Sequence, residues 1–319
     1  MKATARIRWT LPPWVMGGLL VNLATFTWAT NMILGRWLRD SIGPFTLSAL
    51  RFALAVLCFG VLLRARPPTE RRPGPDLPLL LAMALTGVAF FAPTLYGGLR
   101  ETTAVNATLI NGLGPLITGL LTALLIREPF SARQGIAALL GLIGVGIVIS
   151  GGSPTFWRSL QGRRGDLMVL AALTLWGLYS VLGRRVMARR SALSTTALSM
   201  ALALPLLIPA ALIEQRFLPL RGGPEVALAV LYIGIAPTVL GFLAWNAGVR
   251  RLGPGGAMMF YNTLPLYGAL LGHFLLREPL GLAHLIGGAL ILGAGLWAAA
   301  SPPARAPRSE RNDKTDYAS

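Results

Sequence analysis

The sequence predicts an all-α polytopic membrane protein of ten transmembrane helices, arranged as two inverted five-helix repeats. Three observations predict it: apolar runs of span length recur, charge is scarce, and the second half repeats motifs of the first. Of 319 residues, 54% are hydrophobic and 13% charged, with a mean hydropathy of +0.62. Soluble domains carry about 25% charged residues. A soluble core cannot hold so many apolar helices and still leave a polar surface.

Apolar runs bounded by charges and Pro/Gly clusters set the first five spans near 14–34, 44–63, 78–98, 103–126 and 134–151. The second five fall near 165–183, 193–213, 225–248, 254–276 and 280–300. Helices are required because lipid offers exposed backbone groups no partner, and the period is not that of barrel strands. The first repeat is thus 14–151, followed by a periplasmic linker at 152–164, the second repeat at 165–300 and a polar, disordered cytoplasmic tail at 301–319. Basic residues before Leu11-Pro12-Pro13, with no evident cleavage site, predict a retained first helix.

Lys and Arg outside the spans divide nineteen to nine in favour of the side that holds both termini. The positive-inside rule therefore predicts cytoplasmic termini in a bacterial inner membrane. The net charge of +17 sits in short clusters between apolar runs, which excludes a nucleic-acid-binding face. Cys58 is the only cysteine, so intramolecular disulfides and thiolate metal clusters are excluded.

Arg127-Glu128-Pro129 recurs as Arg277-Glu278-Pro279, and each copy follows a proline by twelve residues, Pro115 and Pro265. Trp28 precedes Gly35-Arg36 as Trp176 precedes Gly183-Arg184. Ala49-Leu50-Arg51-Phe52 aligns with Ala197-Leu198-Ser199-Met200, and Ala92-Pro93-Thr94 with Ala236-Pro237-Thr238. Five spans is an odd number, so a second copy must enter the membrane from the opposite side. Such inverted repeats place binding sites near the midplane between the halves and suit alternating access.

These motifs resemble the EamA-type transporters of the drug/metabolite transporter superfamily. The resemblance covers about residues 14 to 300. It implies a carrier of amino acids, other metabolites or drugs, often directed outward. Ser199, standing where the first copy has Arg51, departs from strict repetition.

Pro115 and Pro265 read as kinks inside spans four and nine, either fixed or moving during alternation. Trp28, Asn31, Tyr96, Asn106, Asn111, Trp176, Tyr179, Trp245, Asn246, Tyr261 and Asn262 read as candidates to line a substrate pocket. Amides in lipid need partners and so face the bundle interior; the bland alternative is a local backbone bond or an interfacial aromatic belt. Arg51 reads as a snorkelling or edge-paired cation, or as a partner for a substrate carboxylate. Glu128 and Glu278 read as structural turn residues favoured by the dipole of the following helix.

All twelve acidic residues fall at span ends, loops or termini, so no buried carboxylate is expected for ion coupling. That favours a facilitator or exchanger, with Arg51, Glu101 or His273 as coupling candidates, and His284 as a rim residue. No phosphate-binding loop, nucleophile elbow or metal-ligand spacing is present, so neither enzyme activity nor a cofactor is expected. Expected partners are the lipid bilayer and a small-molecule substrate, with the chain a monomer or weak homodimer. The leading expectation is export of amino acids or related amphipathic solutes. Uptake of a vitamin, nucleoside or sugar derivative is the nearest rival, and a membrane-embedded enzyme or lipid scramblase the rival from another class.

Overall fold

A computed structural model describes residues 12–127, 132–153 and 164–299. Glu128, Pro129, most of the linker and the tail lie outside the described residues. Every regular element among the described residues is helical. The first half comprises α1 (Pro13–Trp37), α2 (Pro44–Leu63), the short α3 (Pro68–Arg71), α4 (Leu77–Ala84), α5 (Phe91–Glu101), α6 (Ala104–Asn111), α7 (Gly114–Ile126) and α8 (Ala132–Ser150). The second comprises α9 (Arg164–Met187), α10 (Ala192–Glu214), α11 (Pro224–Ile235), α12 (Gly241–Tyr261), α13 (Thr263–Leu276) and α14 (Leu282–Ala299). Six helical runs are long and apolar enough to cross a membrane, and the bent pair α6–α7 makes a seventh.

Chain chemistry explains many helix starts. Proline occupies the first turn of α1, α2, α4, α7 and α11, where no backbone donor is needed. Thr103 caps α6 and Ser191 caps α10 through their hydroxyls. α1 is 25 residues long but rich in Thr and Asn. Thr25, Thr27 and Asn31 are buried, while leucines such as Leu57, Leu124 and Leu212 face outward. That is the inside-out distribution a lipid surroundings demands.

The halves interleave: α1 packs on α12 and α13, α2 on α10, α5 on α9, and α8 on α14. Glycine permits the closest of these approaches. A Cβ on Gly287 would lie 2.5 Å from the Gly144 carbonyl oxygen, so α8 and α14 touch backbone to backbone.

Matching irregularities occur in both halves. A π turn at Leu85–Phe90 joins α4 to α5, and another at Ala236–Leu240 joins α11 to α12. Arg127 and Arg277 end α7 and α13 in the left-handed conformation, φ 59° and 55°. The expected fourth span is two helices, α6 and α7, meeting at 42°. The expected ninth is likewise divided: helix resumes after Gly253 (φ 73°) and is interrupted again at Asn262.

The fourth span bends immediately before Pro115, as a kink there predicts, but as a full break in the helix. Pro115 and Pro265 do not bend a helix interior; they lie in the first turn of α7 and α13, on the far side of each break. Breaking the helix just before the ring avoids the clash an interior proline imposes.

The start of a helix leaves amides that lipid cannot satisfy. At α6 the Glu278 carboxylate accepts the Ala104 and Val105 amides at 2.9 Å each. Glu278 thus caps a helix of the other half, not the helix that follows it. Glu278→Ala is expected to cost about 2 kcal/mol through these uncapped amides. Thermal unfolding in detergent checks this, with Glu278→Gln, which keeps one acceptor, falling between Ala and the parent.

Candidate functional site

Between the halves lies a cavity lined by Trp28, Asn31 and Met32 of α1, Arg51 and Phe52 of α2, Phe91, Asn111, Trp176, Tyr179, Met200, Phe242 and Tyr261 among others. A second chamber shares Trp28, Trp176, Tyr179, Phe242 and Tyr261 with it. That chamber continues past Pro115, Trp245 and Asn246 to Arg184, Met187 and Val249. Arg184 follows Gly165, at the other end of α9, by a rise of roughly 28 Å. The chambers share a wall and together reach from the buried polar end at Arg51 to the end of α9 that holds Arg184, the end opposite Gly165.

Arg51 sets the polar end. It is 4% exposed, and its Nε donates to the Thr238 hydroxyl at 3.1 Å and its guanidinium to the Tyr96 hydroxyl at 2.5 Å. Tyr96 in turn donates to Asn31 Oδ1 at 2.7 Å. The guanidinium also lies 4.7 Å from the Phe52 ring centroid. Among the described residues, no Asp or Glu oxygen comes within 4.0 Å of it. The reading of Arg51 as an edge-paired or snorkelling cation therefore fails. α2 carries it into the interior, where neutral hydroxyls and rings hold it.

Both π turns serve this end. Their widened backbone places Gly87 and Val88 on the cavity wall and Thr238 beneath Arg51. The Pro237 carbonyl accepts the Trp28 indole N–H at 3.0 Å, fixing the ring across the cavity. Trp28 is the hub of the aromatic wall, with centroids 5.4 Å from Trp245, 6.0 Å from Phe242, 6.3 Å from Tyr261 and 6.5 Å from Trp176. Trp176 stacks on Tyr179 at 5.1 Å and meets Phe91 at 5.1 Å.

Beyond the Arg51 end the bundle is closed. Arg36 donates to the Leu99 and Arg100 carbonyls at 2.9 Å each, taking up acceptors at the end of α5. Its Nε lies 3.8 Å from Glu278. Thr102 donates to Asp166, which also accepts from Asn106 at 3.3 Å, and Asn106 Oδ1 meets His284 Nε2 at 3.1 Å.

The sequence-predicted residues separate into groups. Trp28, Asn31, Asn111, Trp176, Tyr179 and Tyr261 line the inner cavity, and Trp245 and Asn246 the outer chamber. Tyr96 stands behind Arg51 instead of lining the space. Asn106 belongs to the closed end, and Asn262 is buried at the second break beside Gly295 with neither amide atom bonded. Glu101 is exposed, and His273 lies on the outer surface with Nδ1 2.9 Å from the Glu278 carbonyl oxygen. The expected lack of buried carboxylates also fails: Asp76, Asp166 and Glu278 are 4%, 4% and 8% exposed. None of the three lines either chamber.

Sequence reasoning missed Thr238, Phe91, Phe242 and Met200. Thr238 lies in the repeated Ala-Pro-Thr motif, a signal that marked the repeat without assigning it a role. The phenylalanines carried no distinguishing pattern among twelve in the chain.

Comparison with known proteins decides the family. The model of the EamA-like transporter family matches this chain twice, over residues 15–150 and 163–299. The chain belongs to the EamA-like transporter family. Uncharacterized transporter YyaM of Bacillus subtilis is 28% identical over 276 residues, covering 86% of this chain and 90% of YyaM. A Streptantibioticus cattleyicolor protein, named a probable terminal-alkyne amino-acid exporter, is 26% identical, covering 84% of this chain and 88% of its own. A protein of known crystal structure shares the fold, with a TM-score of 0.61 at 24% identity over 88% of this chain and 96% of that one. The chain is thus a membrane transporter by family.

A Cβ at Gly87 would lie 2.1 Å from the Tyr179 ring, so this EamA-like protein needs glycine there to seat that side chain. Gly87→Ala is expected to cost about 1–3 kcal/mol by overpacking. Thermal unfolding of the single and double variants tests the contact. Tyr179→Ala in the same chain should relieve most of the loss, giving a clearly non-additive cycle.

Proposed function

We propose that this protein is a secondary carrier moving small amphipathic organic metabolites across the bacterial inner membrane, with amino-acid export its leading activity. The observation that carries this reading is Arg51, a buried cation without an acidic partner among the described residues, at the end of an aromatic-walled cavity. Burying an unpaired ion costs several kcal/mol even after relaxation. A carboxylate about 4 Å away recovers about 4 kcal/mol at an effective dielectric constant of 20. A single aromatic contact contributes only about 0.5–1.5 kcal/mol beyond its buried area. The anion therefore sets where a solute docks, and the rings select its apolar part.

In this reading the chain crosses the membrane ten times in two inverted five-helix halves. α6–α7 and the 254–276 stretch are the broken fourth and ninth spans. Both termini are cytoplasmic by the arginine distribution. The path end at Arg184, Met187 and Val249 then faces the cytoplasm, and the Arg36–Glu278 end is the closed periplasmic gate. Alternating access opens that gate while the aromatic chamber closes. Since no carboxylate lines the path, solute gradients and exchange supply the driving force. The name of the Streptantibioticus relative, an amino-acid exporter, points the same way.

Counterflow in proteoliposomes across an amino-acid panel tests the proposal. Exchange of at least one apolar amino acid is expected, reduced about tenfold or more in Arg51→Gln and less in Arg51→Lys, in line with loss of a buried charge pair. Unchanged exchange in Arg51→Gln, or lipid translocation without exchange of any solute, would sink it.

A further inference from the structure

At corresponding positions the two copies contribute different chemistry to the cavity. At offsets of 148 and 150, Asn31 corresponds to Tyr179, Arg51 to Ser199 and Asn111 to Tyr261. All but Ser199 line the inner cavity. The first copy therefore supplies the amides and the cation, and the second replaces both amides with phenol rings. The result is a cavity with a polar pole and an aromatic pole, not two equivalent half-sites.

The polar pole offers donors and very little else. Asn31 Oδ1 is occupied by the Tyr96 hydroxyl, so this amide turns its N–H groups to a solute. Asn111 keeps its N–H on the Ala107 carbonyl and has only a neutral oxygen to give. Neither chamber is lined by an Asp or Glu. The buried Asp166 and Glu278 sit at the closed end, bonded to Thr102, Asn106 and the α6 amides. An α-ammonium group lies within a few bond lengths of its own carboxylate. It would therefore sit close to the Arg51 cation with only its own carboxylate, and no Asp or Glu of the lining, to offset the repulsion.

We infer that this cavity reads the carboxylate and the apolar group of its solute and does not read an amino group. Amphipathic monocarboxylates that lack the amine, or carry it acylated, are then substrates alongside neutral amino acids. Amines without a carboxylate are rejected by the Arg51 field, which the aromatic wall alone does not overcome. The inference rests on the proposed role of Arg51 as the carboxylate site.

Direct binding to the full-length protein in detergent tests it, followed by quenching of tryptophan fluorescence, since Trp28, Trp176 and Trp245 all face the path. The probes are L-phenylalanine, N-acetyl-L-phenylalanine, 3-phenylpropionate and phenethylamine, with the same four head groups on a linear aliphatic chain. The three acids of at least one series should bind with Kd values within about fivefold of each other, and the amine at least about tenfold more weakly. In Arg51→Gln that preference for acid over amine should collapse, while Arg51→Lys should retain part of it. Binding of the free amino acid with neither amine-free nor acylated acid overturns the inference and leaves the carrier reading intact. Binding of the amine as tightly as the acids removes the carboxylate role of Arg51 and this inference together.

Discussion

The carboxylate of Glu278 on the first amides of α6 is the contact through which the rest of this molecule becomes possible. Every helix that starts in or at a bilayer leaves backbone donors whose partners lipid cannot replace. Glu278 supplies two acceptors from the opposite half of the chain and brings a charge that Arg36 offsets. Glu214 performs the same service at the start of α2, accepting the Phe45 and Thr46 amides at 3.1 and 2.7 Å. A Cβ on Gly43 would collide with that carboxylate, so glycine precedes the helix there. In both cases an acid of the second half holds a helix start of the first. The same bonds that satisfy the backbone thus join the halves.

With the helix starts held, the interior carries polar chemistry of its own. The two π turns widen the helices that flank the cavity and put a hydroxyl, Thr238, under the Arg51 guanidinium. The other hydroxyl, Tyr96, is aligned by Asn31. Neutral partners orient the cation without neutralising it. A carboxylate in their place would have made an ion pair and neutralised the cation.

Much of the architecture was legible because it is written in local patterns. Apolar run lengths located the helices, and the paired motifs marked the repeat that the family model matches twice. The breaks were less legible: Pro115 and Pro265 signalled an irregularity but not that the helix stops before the ring. Trp28, Asn31 and Trp176 were readable because they recur in register or carry amides no lipid would accept. The partners of Arg51 and Glu278 were not readable, since they lie 187 and 174 residues away in sequence. Nothing local distinguishes an acid that caps its own helix from one that caps a distant one. Asn106 was misplaced for a related reason, because an amide in a span has several interior sites that satisfy it equally well, here Asp166 and His284 at the closed end.

Duplication and its erosion explain why this cavity has a direction. An exactly repeated pair of halves would give each pole the same groups, and a solute would bind equally well either way round. Here the repeat survives in the backbone devices, the π turns, the breaks and the left-handed arginines, where any change costs stability in both halves. It is lost at the lining positions, where Arg51 faces a serine counterpart and the amides face tyrosines. The cation and the amides of the lining come from the first copy, while Trp176, Tyr179 and Tyr261 come from the second, so the two ends of the cavity are not interchangeable.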